Sequence, residues 1–525
     1  EADPLVRGRL IDGLGLHGLD EDIPLLLASL EAKPVEARAA AVALGRLGLN
    51  KSEAVQEPAV IDALAAQTRR YDPDARLAAA FGLARIGPTA PGPEALEHMN
   101  QGARHSPDPD VRSFLIRALS SSCETDWTCG ALLDAAIADA DKGVRVNAGR
   151  SLGRYASEEQ AARLIRDPSQ AVRLASIQGL ARSESLDLEA LLGPVADQGL
   201  PLDRAEALSA LGGDQRLRAA LQPDQPALLR QAAVGKLEDP QQLLRLAKRG
   251  GEPGVRSAAA GRLMELEPGR EVVLELLAAT DPAVVGVALG RLAQVGLPED
   301  LTRVLPLLVD ARDPDVLREG HKALDKLVPL APTRPDEALL EVVQAGLDHP
   351  GHDVRAAAAP LGGRLGLSGD PSPIEAPSLA EIERIVSLRI QTEAGELRIV
   401  VDTALAPYTV YNFAKLAEQD YFDGLAFHRV VPDFVIQDGC PRGDGWGGPA
   451  WSIPDELSWL PYEEGVMGMA LSGPDTGGSQ WFLTLSPQPH LDANYTVFGR
   501  LDLGKGTLQT VQQGTVITDV VVERL

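Results

Sequence analysis

Two hydrophobic periods divide the chain. Over residues 1–366 apolar side chains return at three- and four-residue steps, the spacing of helices with one buried stripe. One phrase, D-P-x-V-R-x-x-A-x-x-x-L-G, recurs about every 32 residues. Its arginine falls at Arg7, Arg38, Arg76, Arg112, Arg145, Arg173, Arg204, Arg230, Arg256 and Arg355, and Val285 and Leu317 replace it in two weaker copies. Asp accepts from the free N–H groups at a helix start and Pro suits the first helical position, so each copy predicts a capped helix. Less regular helices, as in DIPLLLASLEA and QQLLRLAK, fill the intervals. From residue 384 the period drops to two. IVSLRIQT and ELRIVVD predict paired strands, a helix begins at Ala406-Pro407 and runs through TVYNFAKLAEQ, and FHRVVPDFVIQDG, GVMGMALSG, SQWFLTLS and YTVFGRL read as short strands between Gly-rich turns. Many strands with few helices predict a closed barrel. LSGDPSPIEAPS, residues 367–378, has linker composition. The predicted division is a helical array over 1–366, a linker over 367–383 and a barrel over 384–525.

A helix pair cannot bury its stripe alone, so the pairs must stack. With its twelve copies, the phrase resembles the HEAT-repeat family in its short bacterial form. The resemblance implies an all-α superhelical solenoid, serving either as a curved spacer or as a concave surface for a partner protein or peptide. Catalysis by the array, as in relatives of bilin lyases, is the least favoured reading. The repeated arginine reads as a structural ladder pairing with neighbouring Asp caps. His349 and His352 in HPGH precede a helix start, which favours capping or solvent exposure over a metal, and no metal site is expected. The first copy opens two residues into the chain, so its partner helix is expected upstream of residue 1.

The carboxy-terminal 140 or so residues resemble the cyclophilins, the peptidyl-prolyl cis–trans isomerases. The resemblance is carried by APYTVYNF, FHRVVPDFVIQDG, GMALSGPDTGGSQWFLTLS and HLDANYTVFGRL, in the family's order. It implies an eight-stranded antiparallel β-barrel with two capping helices, and a site placed residue by residue on these motifs. Arg429 falls on the catalytic Arg and Gln437 on the Gln that bonds the substrate backbone. Phe434 and Val435 fall at the proline pocket, which Phe482 and Leu491 complete. Ala470 and Leu471 are expected on an edge strand that receives the peptide, with Gln480 beneath the Arg, and His490 and Tyr495 at the rim. The family's clients are proline-containing proteins or peptides, its inhibitors are cyclosporin-like, and it uses no cofactor.

The residue chemistry agrees with that assignment. Amide resonance sets a rotation barrier of about 18–20 kcal/mol. Twisting localises a lone pair on the prolyl nitrogen, to which a guanidinium can donate without losing its charge. By strand alternation His428 should face away from the site. Several departures stand out: Asp438 and Cys440 in QDGCP, Trp481 in QWF, Leu471 where many members have Asn, and a short stretch between Gln437 and Met469. The rival reading is a non-catalytic protein whose barrel only docks a proline loop, acting as a scaffold in the bacterial cell envelope.

Composition narrows the function classes. Formal net charge is −25, which argues against a nucleic-acid partner and against charge-driven binding to anionic lipid. The chain contains no apolar run long enough to span a membrane. Of twenty aromatic residues only Tyr71, Phe81, Phe114, Trp127 and Tyr155 precede residue 381, which repeats the division drawn from periodicity. Cys123 and Cys129 are spaced for a small disulfide loop or are two unrelated thiols. A bridge would favour the bacterial envelope or periplasm, with a lipid anchor upstream of residue 1 as one expectation and a cytoplasmic location as the alternative.

Overall fold

The computed structural model describes residues 3–123, 128–329, 336–370 and 378–525. Each repeated phrase forms a helix. The first, Pro4–His17, opens where the Asp3 side chain accepts from Leu5 N, and Asp72, Asp108, Asp281 and Asp313 cap later copies in the same way. The weaker copies with Val285 and Leu317 are helices too, Pro282–Val295 and Pro314–Leu327. The helices of QQLLRLAK and DIPLLLASLEA run over Pro240–Arg249 and Ile23–Leu30.

The arginine ladder has a regular geometry. Nε of Arg112, Arg145, Arg173 and Arg256 meets Asp139, Asp167, Asp203 and Asp281 at 2.8, 2.8, 2.9 and 2.7 Å. In the first three, Nη1 also donates to a carbonyl six residues back, at Ser106, Asp139 and Asp167. Each arginine therefore ties the turn before its own helix to a carboxylate of the next repeat. Where Leu317 replaces the arginine, Arg318 reaches the next repeat instead, 3.3 Å from Asp353. His349 Nδ1 accepts from Gly351 N at 2.9 Å just before the helix His352–Leu365.

One copy departs from α geometry. Lys142–Asn147 continues as a π-turn over Ala148–Leu152, a form often found at functional positions. It carries Asn147 and Arg150, whose partners lie in the barrel. Cys123 and Cys129 are joined by a disulfide. The last solenoid helix ends at Leu365 on Gly366 (φ 73°), and the chain stays packed as far as Asp370, whose N–H donates to Asp348. Residues 371–377 of the expected linker lie outside the described residues, and its last stretch, 378–383, is not plain linker but holds the short helix Leu379–Ile382.

The C-terminal sheet comprises β1 Ile385–Thr392, β2 Gly395–Val401, β3 Arg429–Val431, β4 Val435–Asp438, β5 Val466–Met469, β6 Trp481–Thr484, β7 Val497–Leu503 and β8 Ile517–Arg524. Every pairing is antiparallel, in the order β3-β4-β6-β5-β7-β2-β1-β8. Residues 424–427 pair with 514–517 and close the ring between β3 and β8. Helices Pro407–Ala417 and Lys505–Leu508 accompany the barrel. Phe413, Phe422, Phe427, Trp481 and Phe498 fill it, so the departure at Trp481 is an interior one.

Both ends of the array touch this barrel. Arg9 donates to Trp459 O at 3.3 Å, and His352 N donates to Ser452 Oγ at 2.7 Å. Between them Arg38, Arg46, Arg85, Asn147, Arg150 and Asp315 make further contacts, all from helices of the repeated phrase. A helix layer whose first and last members meet one small domain must curve around it. The face of these helices that one of the two sequence readings offered to a partner is in contact with the chain's own barrel.

Candidate active site

Strands β3 and β4 pair Arg429 directly with Gln437. Arg429 Nη1 donates to Gln437 Oε1 at 3.2 Å, and Gln437 Nε2 donates to Gln480 Oε1 at 3.1 Å. Gln480 Nε2 continues to Gly445 O at 3.0 Å, so the relay is anchored on main chain. The guanidinium lies 5.5 Å from the centroid of the Phe434 ring. No carboxylate among the described residues pairs with Arg429, and burial pushes its pKa below the usual arginine value. A guanidinium stays charged under any such shift.

Beside this relay lies an apolar cluster. Val435, Phe482 and Leu491 are 2, 5 and 5% exposed, and Phe434, Ala470 and Tyr495 pack against them half-buried. Tyr495 meets Phe482 edge-on at 5.8 Å. Gly468 on β5 makes the packing possible, since a Cβ there would stand 2.5 Å from Phe482 Cζ and 2.4 Å from the Tyr462 hydroxyl. The structure thus brings together Arg429, Gln437, Gln480, Phe434, Val435, Ala470, Phe482, Leu491 and Tyr495. Leu471 packs towards the barrel's main core, yet borders the same opening as Ala470.

The expected edge strand requires correction. β5 is an inner strand, paired with β6 on one side and β7 on the other. Ala470 and Leu471 run past its end, and Ala470 N already donates to Gln480 O. Strand order is set by pairing between distant segments, which local alternation does not report.

His490 stacks between two rings. Phe434 lies 5.6 Å away, and Phe81 of the solenoid helix Pro73–Ile86 lies 6.2 Å away. Arg85 Nη2 is 3.1 Å from its Nδ1. Burial, reinforced by Arg85, Arg117 and Arg46, lowers the pKa of His490 to about 3, so the ring is neutral. A neutral Nδ1 facing a guanidinium is the acceptor. His428 is buried beside Asp438, with 3.9 Å between Nδ1 and Oδ1. Burial raises the Asp438 carboxyl above its ordinary range, and its Oδ1 accepts from Gly439 N. Cys440 is buried and donates to Trp446 O at 3.0 Å, and burial raises its thiol pKa. The two QDGCP departures, Asp438 and Cys440, thus serve the framework behind the site.

Further site residues come from the solenoid and from the shortened 438–468 stretch. Arg442 bonds Asp281 at 2.8 Å, and Gly447 N donates to Asp315. Trp446 packs on Gly286, where a Cβ would come within 3.1 Å of the ring. Nothing local in the sequence signals these partners.

The sequence pattern described as cyclophilin type peptidyl-prolyl cis-trans isomerase/CLD matches residues 387–524. Peptidyl-prolyl cis-trans isomerase B of Bacillus subtilis is 48% identical over 120 residues, covering 22% of this chain and 84% of that protein. The chain belongs to this family. A peptidyl-prolyl cis-trans isomerase of Synechococcus elongatus is 47% identical over 113 residues, covering 22% of this chain and 78% of its own length. One of Helicobacter pylori is 40% identical over 145 residues, covering 27% and 89%. The cyclophilin domain accounts for the barrel, and the helical array lies outside these matches.

Proposed function

We propose that Arg429 and the notch formed by Phe434, Phe482 and Leu491 accelerate rotation about X–Pro bonds of protein clients. Uncatalysed, these bonds interconvert in tens to hundreds of seconds. The apolar notch holds the proline ring by burial, and the residue before proline turns against it. As the amide twists, resonance is lost and the nitrogen becomes pyramidal. Arg429, held by Gln437, donates to the lone pair that then appears. Because that acceptor exists only near the twisted geometry, the bond strengthens in the transition state. Rotation makes and breaks no covalent bond, so the chemistry asks for no nucleophile, metal or cofactor.

The observation that carries this reading is Arg429 itself, a cation without a carboxylate partner among the described residues, set over Phe434 at the notch and tied to Gln437. A protease-coupled assay on a short proline peptide tests it. Wild type should exceed the spontaneous rate and Arg429→Ala should approach it. Spontaneous rates for both would favour a non-catalytic proline-loop binder. In this reading the solenoid acts first on its own barrel, holding the two loops that bear Phe434 and Leu491. The Cys123–Cys129 bridge supports an oxidising compartment such as the cell envelope.

A further inference from the structure

The catalytic groove faces a wall that belongs to the solenoid. Arg429, Gln437 and Gln480 open onto a cavity of about 930 Å³ whose other side carries Gln231, Ser257 and Asp315. These three come from separate repeat helices, Ala227–Val234, Pro253–Glu265 and Pro314–Leu327. Bridges pin the wall in place: Arg442 to Asp281 at 2.8 Å, Gly447 N to Asp315 at 2.8 Å and His352 N to Ser452 at 2.7 Å. On the other flank, Arg46 and Asn147 tie down the loops of the proline notch.

Such a volume lies within the range of about 300–1,000 Å³ that suits a compact ligand. It admits a few residues of extended chain. A loop displayed on a folded domain would have to bring that domain's surface into space the repeat helices already fill, each about 10–12 Å across with its side chains. Charge adds little selection in this cavity. Asp315 and Asp353 pair with Arg318, Asp444 pairs with Arg442, and Glu252 pairs with Arg230. Width is what remains to discriminate.

We propose that the solenoid supplies the second wall of the substrate groove, so that this isomerase acts on extended, flexible proline-containing segments lying between its two domains and excludes prolines in loops of folded proteins. The proposal rests on the isomerase reading above.

The test uses the whole chain and one eight-residue Ala-Pro sequence in two settings, as a free peptide and as a tight loop on a folded host, with exchange measured by NMR. The free peptide should be accelerated at least tenfold more than the displayed loop. Acceleration of both within threefold of each other would overturn the second wall alone, and acceleration of neither would overturn the isomerase assignment beneath it. Ser257→Trp, which fills the cavity from the solenoid side, should lower kcat/KM for the free peptide at least tenfold at unchanged Tm. An unchanged kcat/KM in a folded Ser257→Trp protein would also overturn the proposal. Should that variant fail to fold, Ala258→Leu on the same helix gives the same reading.

Discussion

Asn147 Nδ2 donates to Asp433 Oδ2 at 2.6 Å, joining the helix end that leads into the solenoid's π-turn to the residue immediately before Phe434. Asp433 has φ 59°, a left-handed conformation that a non-glycine residue adopts only where its surroundings hold it. Its own carbonyl accepts from Ser486 and Gln488, so three groups hold one strained residue. Asn147→Ala should loosen Phe434 and raise KM for a proline peptide about threefold to tenfold, the effect of losing one ordinary hydrogen bond, with kcat within about twofold. Steady-state kinetics on the full chain check this.

The opposite loop has its own anchor. Arg46 Nη2 donates to Asp492 O at 2.8 Å, and Arg38 bonds the Asp492 carboxylate at 3.0 Å. Arg46 is 6% exposed, so Arg46→Ala leaves buried carbonyls without a donor, at a cost of about 1–3 kcal/mol. Arg38 is more exposed, and Arg38→Ala should cost less. Denaturant unfolding gives the ranking, and faster hydrogen exchange over residues 489–492 would locate the loss.

The interface should also respond to pH. Burial, with Asp433, Asp108, Asp141 and Glu464 nearby, raises the Asp110 pKa to about 7, and burial raises Asp492 to about 6 against the pull of Arg38 and Arg46. A carboxyl with a raised folded-state pKa binds its proton more tightly folded than unfolded. Its contribution is full below about pH 4 and is lost as pH rises towards 7. Asp110→Asn cannot ionise and loses nothing over that interval. Its Tm should therefore rise relative to wild type between about pH 4 and 7, as differential scanning calorimetry would show.

Catalysis should follow a different pH course. Arg429 keeps its charge, and His490, with a pKa of about 3, stays neutral. kcat/KM for the proline peptide should therefore be level from about pH 5 to 8 wherever the protein is folded. An inflection near the ordinary histidine value that persists in Asp110→Asn and Asp492→Asn would mean that an imidazole takes part.

The two folds were legible because their signals are local. A helix stripe repeated twelve times, or a two-residue alternation between Gly-rich turns, can be read within any short window. The site was legible where its residues lie in continuous motifs, as Arg429, Phe434 and Gln437 do. What escaped depends on distance along the chain. Arg46 and Asp492 are 446 residues apart, and Asn147 and Asp433 are 286 apart. The position of β5 inside the sheet is likewise a product of long-range pairing, which the resemblance that placed Ala470 and Leu471 on an edge did not supply. The arginines carry the same lesson. Most of the repeated ones, spaced by the phrase, read as a ladder, whereas Arg46, Arg85 and Arg150, joined by Arg38 from the phrase, hold the barrel.

The most direct test concerns Arg429, through peptide exchange at saturating concentration together with peptide affinity for wild type and Arg429→Ala. Loss of a donor that acts only at the twisted amide should lower the exchange rate about 10²–10³-fold. The dissociation constant should change by less than about threefold. An unchanged exchange rate, or a loss fully matched by weaker binding, would contradict a transition-state role for that guanidinium.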